Sequence, residues 1–381
     1  MAAAEPRRAT APPGRAESPY RVMVVEDSLV IRGLIARILE ADPRIAVVTT
    51  VANGELAIKA LDRNEVEVVV LDIEMPVMDG LTALPLLIRK DPNLQIIMAS
   101  TLTRKNAEVS IRALSAGAAD YVAKPTTSRE VNTADDFRRD LTEKVLTLGA
   151  RRRQRVPASA APTPGRVAAV PKQAAAPAAP VLRPTQWLRP PTVIGIGSST
   201  GGPQALLKVL GGLAPMRQPI LITQHMPATF TTILAEHIGR VASMRCAEAV
   251  DGEPVAGGRI YLAPGDHHMS VVARDGGRFI KLDQGPRENF CRPSVDPMLR
   301  SMSAIWGDGV LALILTGMGS DGLGGCRAVV QAGGKVLAQD EATSVVWGMP
   351  GAVARAGVCS EILALSEIGP RLARIAGGAE R

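Results

Sequence analysis

From Arg151 to Pro191 the chain is mostly alanine, proline and arginine, and this stretch decides what the remainder can fold into. Its prolines recur every few residues, with one PxxP spacing at Pro177 and Pro180. Such a segment has too little apolar surface to offset its ordering entropy, so it is expected to be an extended, partly polyproline-like linker. The 381 residues then divide into a tail at 1–20, a first domain at 21–145, a linker at 146–190 and a second domain at 191–378, both domains of ordinary size. No internal repeat relates the two.

The linker also explains the charge. A net charge of +7 invites a nucleic-acid reading, but eight basic residues and no acid lie between Val145 and Pro191, so the rest of the chain nets −1. Basicity is a linker property, fit for a tether to an acidic partner or for a solvated spacer, and nucleic acid is not an expected partner. No apolar run reaches the roughly 20 residues of a membrane span. The first 20 residues lack the apolar core of a secretory signal, and the four cysteines lie far apart without a CxxC pair. A cytoplasmic protein with reduced thiols is expected.

In the first domain short apolar runs alternate with helical patterns. VMVVE (22–26), IAVVTTV (45–51), VEVVVL (66–71), LQIIMA (94–99) and DYVA (120–123) read as strands, with helices after Ser28 and at 54–63, 81–90 and 106–116. Alternating βα units imply a doubly wound parallel α/β sheet. Glu26, Asp27, Asp72, Ser100 and Lys124 all fall at carboxyl ends of strands, where such sheets bind ligands. Three carboxylates together call for a hard cation, most simply Mg²⁺. A carboxylate nucleophile beside a cation, with a lysine and a hydroxyl opposite, suits transient aspartyl phosphorylation.

These residues, with LDIEMPVMDG (71–80) and YVAKP (121–125), resemble the flavodoxin-like receiver domain of two-component response regulators. The resemblance implies Asp72 as phosphoacceptor, Mg²⁺ held by Glu26, Asp27, Asp72 and the Glu74 carbonyl, phosphoryl contacts from Ser100 and Lys124, and Tyr121 as the aromatic that repositions. It also makes Lys124–Pro125 a candidate cis peptide. Receivers often carry aspartate at the first acidic position. Here the longer Glu26 stands there, placed to meet the metal through water.

The second domain repeats the α/β pattern, with strands at 192–197, 219–225, 259–264, 309–316 and 335–340, a hairpin at 269–282, and helices at 203–210, 229–241 and 322–332. The run Gly195-Ile-Gly197-Ser-Ser-Thr-Gly201 is a poor dinucleotide fingerprint, because Thr200 takes the third glycine position and the next strand ends in Gln224-His225 rather than an acid. A serine between a strand and a helix N-terminus suits nucleophilic catalysis instead, near backbone N–H groups that stabilise an anion. His225 ends the next strand, and Asp321 follows a third strand in a glycine-rich loop. Serine, histidine and aspartate at three strand ends form a plausible triad, although each alone has a purely structural reading.

GIGSSTGGP, TQHMP, YLAPGDHH, CRPSVD, LTGMGSDG and AQDEATSVVWGMP, in that order, resemble the catalytic domain of CheB-type protein-glutamate methylesterases. The resemblance implies Ser199 rather than Ser198 as nucleophile, His225 as general base, Asp321 as its orienting acid and the Met318 N–H in the oxyanion hole. It implies a phosphorylation-controlled hydrolase that removes γ-methyl esters from methyl-accepting chemoreceptors and deamidates their glutamines, with a chemotaxis histidine kinase as phosphodonor and no cofactor for the esterase step. Two rivals stay in view. A DNA-binding regulator would need a small basic output domain, which 191–378 is not. An interaction module would lack the nucleophile.

Overall fold

The computed structural model describes residues 18–124, 131–155, 181–184 and 189–378. The first domain contains β1 (Tyr20–Val25), α1 (Leu29–Glu40), β2 (Ile45–Val51), α2 (Gly54–Ala60), β3 (Val68–Asp72), α3 (Gly80–Lys90), β4 (Gln95–Ser100), α4 (Arg104–Ser115), β5 (Asp120–Ala123) and α5 (Val131–Arg155). Its strands pair in parallel in the order β2-β1-β3-β4-β5. β3 and β4 are buried along their whole length, which is why they read as unbroken apolar runs. Ser28 caps α1 by accepting the Ile31 N–H.

Helix α5 corrects the expected linker boundary. It continues through 146–155, residues that composition had placed in the extended linker. Phe137, Leu141, Val145 and Leu148 recur at helical spacing and are buried against the sheet. Arg152 pairs with Asp91 at 2.7 Å and Arg153 with Glu67 at 2.5 Å, so these arginines hold the helix to its own domain. The Lys124–Pro125 bond lies outside the described residues.

The second domain contains β6 (Val193–Ser198), α6 (Gly202–Gly211), β7 (Ile220–Gln224), α7 (Ala228–Val241), β8 (Arg245–Glu248), β9 (Arg259–Leu262), β10 (His268–Arg274), β11 (Gly277–Asp283), α8 (Val295–Trp306), β12 (Val310–Ile314), α9 (Leu323–Gln331), β13 (Lys335–Gln339), α10 (Met349–Arg355), β14 (Glu361–Leu363) and α11 (Leu365–Gly377). Sequence patterning missed β8, α8, α10, β14 and α11. Seven strands pair in parallel in the order β14-β13-β12-β6-β7-β9-β8, and β10 and β11 form the expected antiparallel hairpin. The chain leaves β6 toward β7 but leaves β12 toward β13. The β6/β12 boundary is therefore the topological switch point, where a crevice opens at the carboxyl ends.

The domains pack through α4 against α6 and α7. Tyr121 stacks on Phe230, with ring centroids 4.4 Å apart and 11° between planes. Gln204 Nε2 donates to the Ala118 carbonyl at 3.0 Å, and Arg104 pairs with Glu236 at 2.8 Å. Among the described residues no helix is long and apolar enough to cross a membrane.

Candidate active site

Two polar centres sit at the two switch points. In the first domain Asp72 ends β3 beside β1, whose following residues are Glu26 and Asp27. Carboxylate oxygens of these three lie within 4.8 Å of one another. Lys124 Nζ bridges two of them, 2.5 Å from Asp72 Oδ1 and 2.6 Å from Glu26 Oε2. Burial raises the pKa of both Asp72 and Glu26, and Lys124 only partly offsets it. Ser100 is buried at the end of β4, where its Oγ accepts from Ser110 Oγ at 3.1 Å. Glu74 lies outside the acidic trio with its carboxylate on Lys105 at 2.9 Å, which holds its pKa down. A cavity of about 440 Å³ lined by Asp27, Glu74, Asp79, Lys105 and Asn106 adjoins the acids. An all-oxygen donor set of this kind suits a hard divalent cation.

In the second domain the two adjacent serines separate by burial. Ser198 is fully buried, and its Oγ donates to Gln224 Oε1 at 2.6 Å. Gln224 Nε2 in turn donates to the Ser199 carbonyl at 2.9 Å and the His225 carbonyl at 3.2 Å, splinting the loops after β6 and β7. Ser199 is half-buried. Gly317 after β12 passes so close that a Cβ there would stand 2.9 Å from Ser199 Cβ. Gly201 enters α6 with φ 75°, a left-handed turn that suits glycine.

His225 Nε2 lies 2.7 Å from Asp321 Oδ2. Asp321 also accepts from Asn289 Nδ2 at 2.7 Å, Ser294 Oγ at 2.7 Å, Val295 N at 2.6 Å and Gly322 N at 2.9 Å. Burial favours the protonated acid, but His225 and this ring of donors hold its pKa at about 2. Burial likewise opposes an imidazolium at His225, but Cys291 and Asp321 outweigh it and raise the His225 pKa.

The structure brings His225 and Asp321 together on the same sheet edge as Ser199, but no hydrogen bond joins Ser199 to His225. The ring's Nε2 serves Asp321 and its Nδ1 faces Cys291 Sγ at 3.4 Å. Catalytic contacts are often loose before substrate binds. His267 and His268 are engaged elsewhere, with the Gly265 and Pro286 carbonyls. The Met318 N–H has no acceptor among the described residues, while its Sδ accepts from Thr147 Oγ1 of α5 at 3.4 Å. Sequence reasoning missed Gln224, Asn289, Ser294 and Cys291. Three of them stand within or beside the CRPSVD motif, and Gln224 immediately precedes His225.

Both domains match known families. Residues 22–134 match the response regulator receiver domain, and residues 194–372 match the CheB methylesterase domain. The chain is 59% identical over 377 residues, covering 96% of each chain, to the protein-glutamate methylesterase/protein-glutamine glutaminase of group 2 operon of Rhodospirillum centenum. It is 57% identical over 371 residues, covering 95% of this chain and 94% of the other, to the Azospirillum brasilense protein-glutamate methylesterase/protein-glutamine glutaminase. To protein 1 of the same description from Paramagnetospirillum magneticum it is 54% identical over 373 residues, 96% and 98% of the two chains.

Proposed function

The chain belongs to the CheB family of protein-glutamate methylesterases/protein-glutamine glutaminases with a response-regulator receiver, and from that premise we propose how its own residues divide the work. Ser199 attacks the γ-carbonyl of a methylated glutamate while His225 takes its proton. Asp321 orients the ring and stabilises the imidazolium. The Met318 N–H receives the developing oxyanion. Methanol leaves, and water activated by His225 hydrolyses the acyl-enzyme. A glutamine follows the same course, with His225 protonating the departing ammonia. The observation that carries this reading is Asp321 in its ring of donors, bonded to His225 beside a serine pair of which only Ser199 keeps its hydroxyl uncommitted.

In the receiver, whose limits we place at 21 to about 155, Asp72 accepts the phosphoryl group, with Ser100 and Lys124 as its contacts. Glu26, Asp27, Asp72 and the Glu74 carbonyl fit Mg²⁺. The ion supplies charge neutralisation for phosphoryl transfer. The partners are methyl-accepting chemoreceptors as substrate and a chemotaxis histidine kinase as phosphodonor, on the cytoplasmic side. The catalytic part spans 191–378.

Three contacts support control by closure. Thr147 touches Met318, Asp136 on α5 pairs with Arg287 at 2.7 Å, and Arg139 lies over the Phe290 ring at 5.2 Å. The last two hold the loop that carries Cys291 and Asn289. Phosphorylation at Asp72 repacks the face bearing Tyr121 and loosens these contacts. The test is methanol release from methylated receptor membranes with and without a small-molecule phosphodonor. The reading requires release that rises with phosphodonor. No release under either condition sinks it.

A further inference from the structure

The four cysteines stand in different surroundings. Cys326 and Cys359 are buried and Cys246 half-buried, and burial pushes Cys246 and Cys359 up to about 12 and Cys326 upward as well. Thiols held protonated in this way are inert. Cys291 is half-buried in the active-site cleft, with Sγ 3.4 Å from His225 Nδ1, and the other ring nitrogen is bonded to Asp321. Cysteine, imidazole and carboxylate in series are the arrangement that makes a sulfur nucleophilic. The loop fixes this position. Asn289 and Phe290 adopt left-handed φ values of 52° and 64°, Asn289 is bonded to Asp296 and Asp321, and Cys291 exchanges backbone hydrogen bonds with Glu288. Ester hydrolysis as derived above uses no thiol.

We infer that Cys291 is a peroxide-sensitive modification site whose oxidation switches the esterase off, an inference that rests on the esterase reading. The thiol proton passes to His225 Nδ1. The sulfur attacks one oxygen of a hydroperoxide, so an S–O bond forms as the O–O bond breaks. Sulfur gives up two electrons, the peroxide is reduced, and its departing oxygen takes the proton from His225 to leave as water or alcohol. The sulfenic acid stays against Nδ1 and denies that nitrogen to Ser199. A dithiol reductant restores the thiol and releases water.

The test compares the full chain with Cys291→Ala and Cys291→Ser, each with phosphodonor, as the ratio of methanol release after and before hydrogen peroxide. Sulfenic acid is trapped in parallel with dimedone and located by peptide mass. The wild type is expected to lose roughly tenfold or more of its rate and regain it with dithiothreitol, with the label on Cys291, while both variants keep a ratio near unity. Methionine sulfoxide, at Met318 for example, is not reversed by dithiothreitol, which separates that lesion. Variants that lose the same proportion as wild type overturn the inference, and so does inactivation without label on Cys291 or label without inactivation. Absence of methanol release before any peroxide counts against the esterase reading instead, and the dimedone labelling still decides whether Cys291 is the reactive thiol.

Discussion

Asp72 and Asp321 make a natural pair. Both follow central parallel strands at a switch point, and both are nearly buried, at 6% and 2% exposure. Their acidities diverge. Asp72 has one backbone donor, Ile73 N at 2.8 Å, and shares Lys124 with Glu26, so burial raises its pKa. Asp321 is met by backbone N–H groups, a hydroxyl, an amide and an imidazole, and stands at about 2. The number of donors aimed at a carboxylate, not burial alone, sets its charge. A carboxylate short of donors is poised to take a cation and an electrophile. One saturated with donors serves as a fixed charge.

The largest expected break in this comparison is in rate. Asp321→Asn should lower methanol release about 10³–10⁴-fold, as should Ser199→Ala and His225→Gln, because the parts of a triad fail together. Asp72→Asn should keep the basal rate and lose the response to phosphodonor. Equal losses at the two aspartates would erase the contrast. Ser198→Ala should cost far less than Ser199→Ala, and the reverse order would reassign the nucleophile. Asn289→Ala removes one donor from Asp321 and should cost about tenfold in methanol release. A rate equal to wild type would remove Asn289 from the account of Asp321.

Stability should divide the same way. The folded pKa of Asp321 lies below its unfolded value, so its contribution is present above about pH 4 and fades as pH falls toward 2. Asp321→Asn should therefore lower Tm at neutral pH, the charge being worth about 2 kcal/mol. Asp72 carries the opposite sign. Its folded pKa is raised, so its contribution belongs to low pH and is lost as pH rises through that value. Asp72→Asn should therefore raise Tm at neutral pH. Calorimetry in which both variants shift Tm alike would refute the donor argument. The smallest effects concern closure. A fragment beginning at Pro191 should exceed the basal rate of the unphosphorylated full chain, while Asp136→Ala should raise that rate by no more than a few-fold, since an exposed pair is worth roughly 0.2–1 kcal/mol. A fragment no faster than the basal state would rule out simple inhibition.

Much of this was legible in the sequence, for identifiable reasons. Strands buried on both faces advertise themselves as apolar runs, and the chemistry falls at their carboxyl ends or in the loops beyond, at Glu26, Asp72, Ser199 and Asp321. Helix α5 was obscured because Phe137, Leu141, Val145 and Leu148 are spread among many charged residues, and because Arg152 and Arg153 find partners far away at Asp91 and Glu67. Helix α8 was missed although its first N–H groups bind Asp321, a contact made across 26 residues that no local pattern encodes. The choice between Ser198 and Ser199 rested on resemblance. In the fold, the Gln224 side chain distinguishes them.

The touch between Thr147 and Met318 has a thermodynamic consequence. One helix of the receiver rests on the residue expected to bind the oxyanion, so occupancy of the cleft and phosphorylation of the receiver both work against the same closed interface. Linkage makes such an effect reciprocal. By whatever factor phosphorylation tightens binding of a methylated receptor, bound receptor must favour the phosphorylated receiver by the same factor. The substrate is then also an effector of the switch, and arrays rich in methyl ester should hold the enzyme in its active form until their esters are spent.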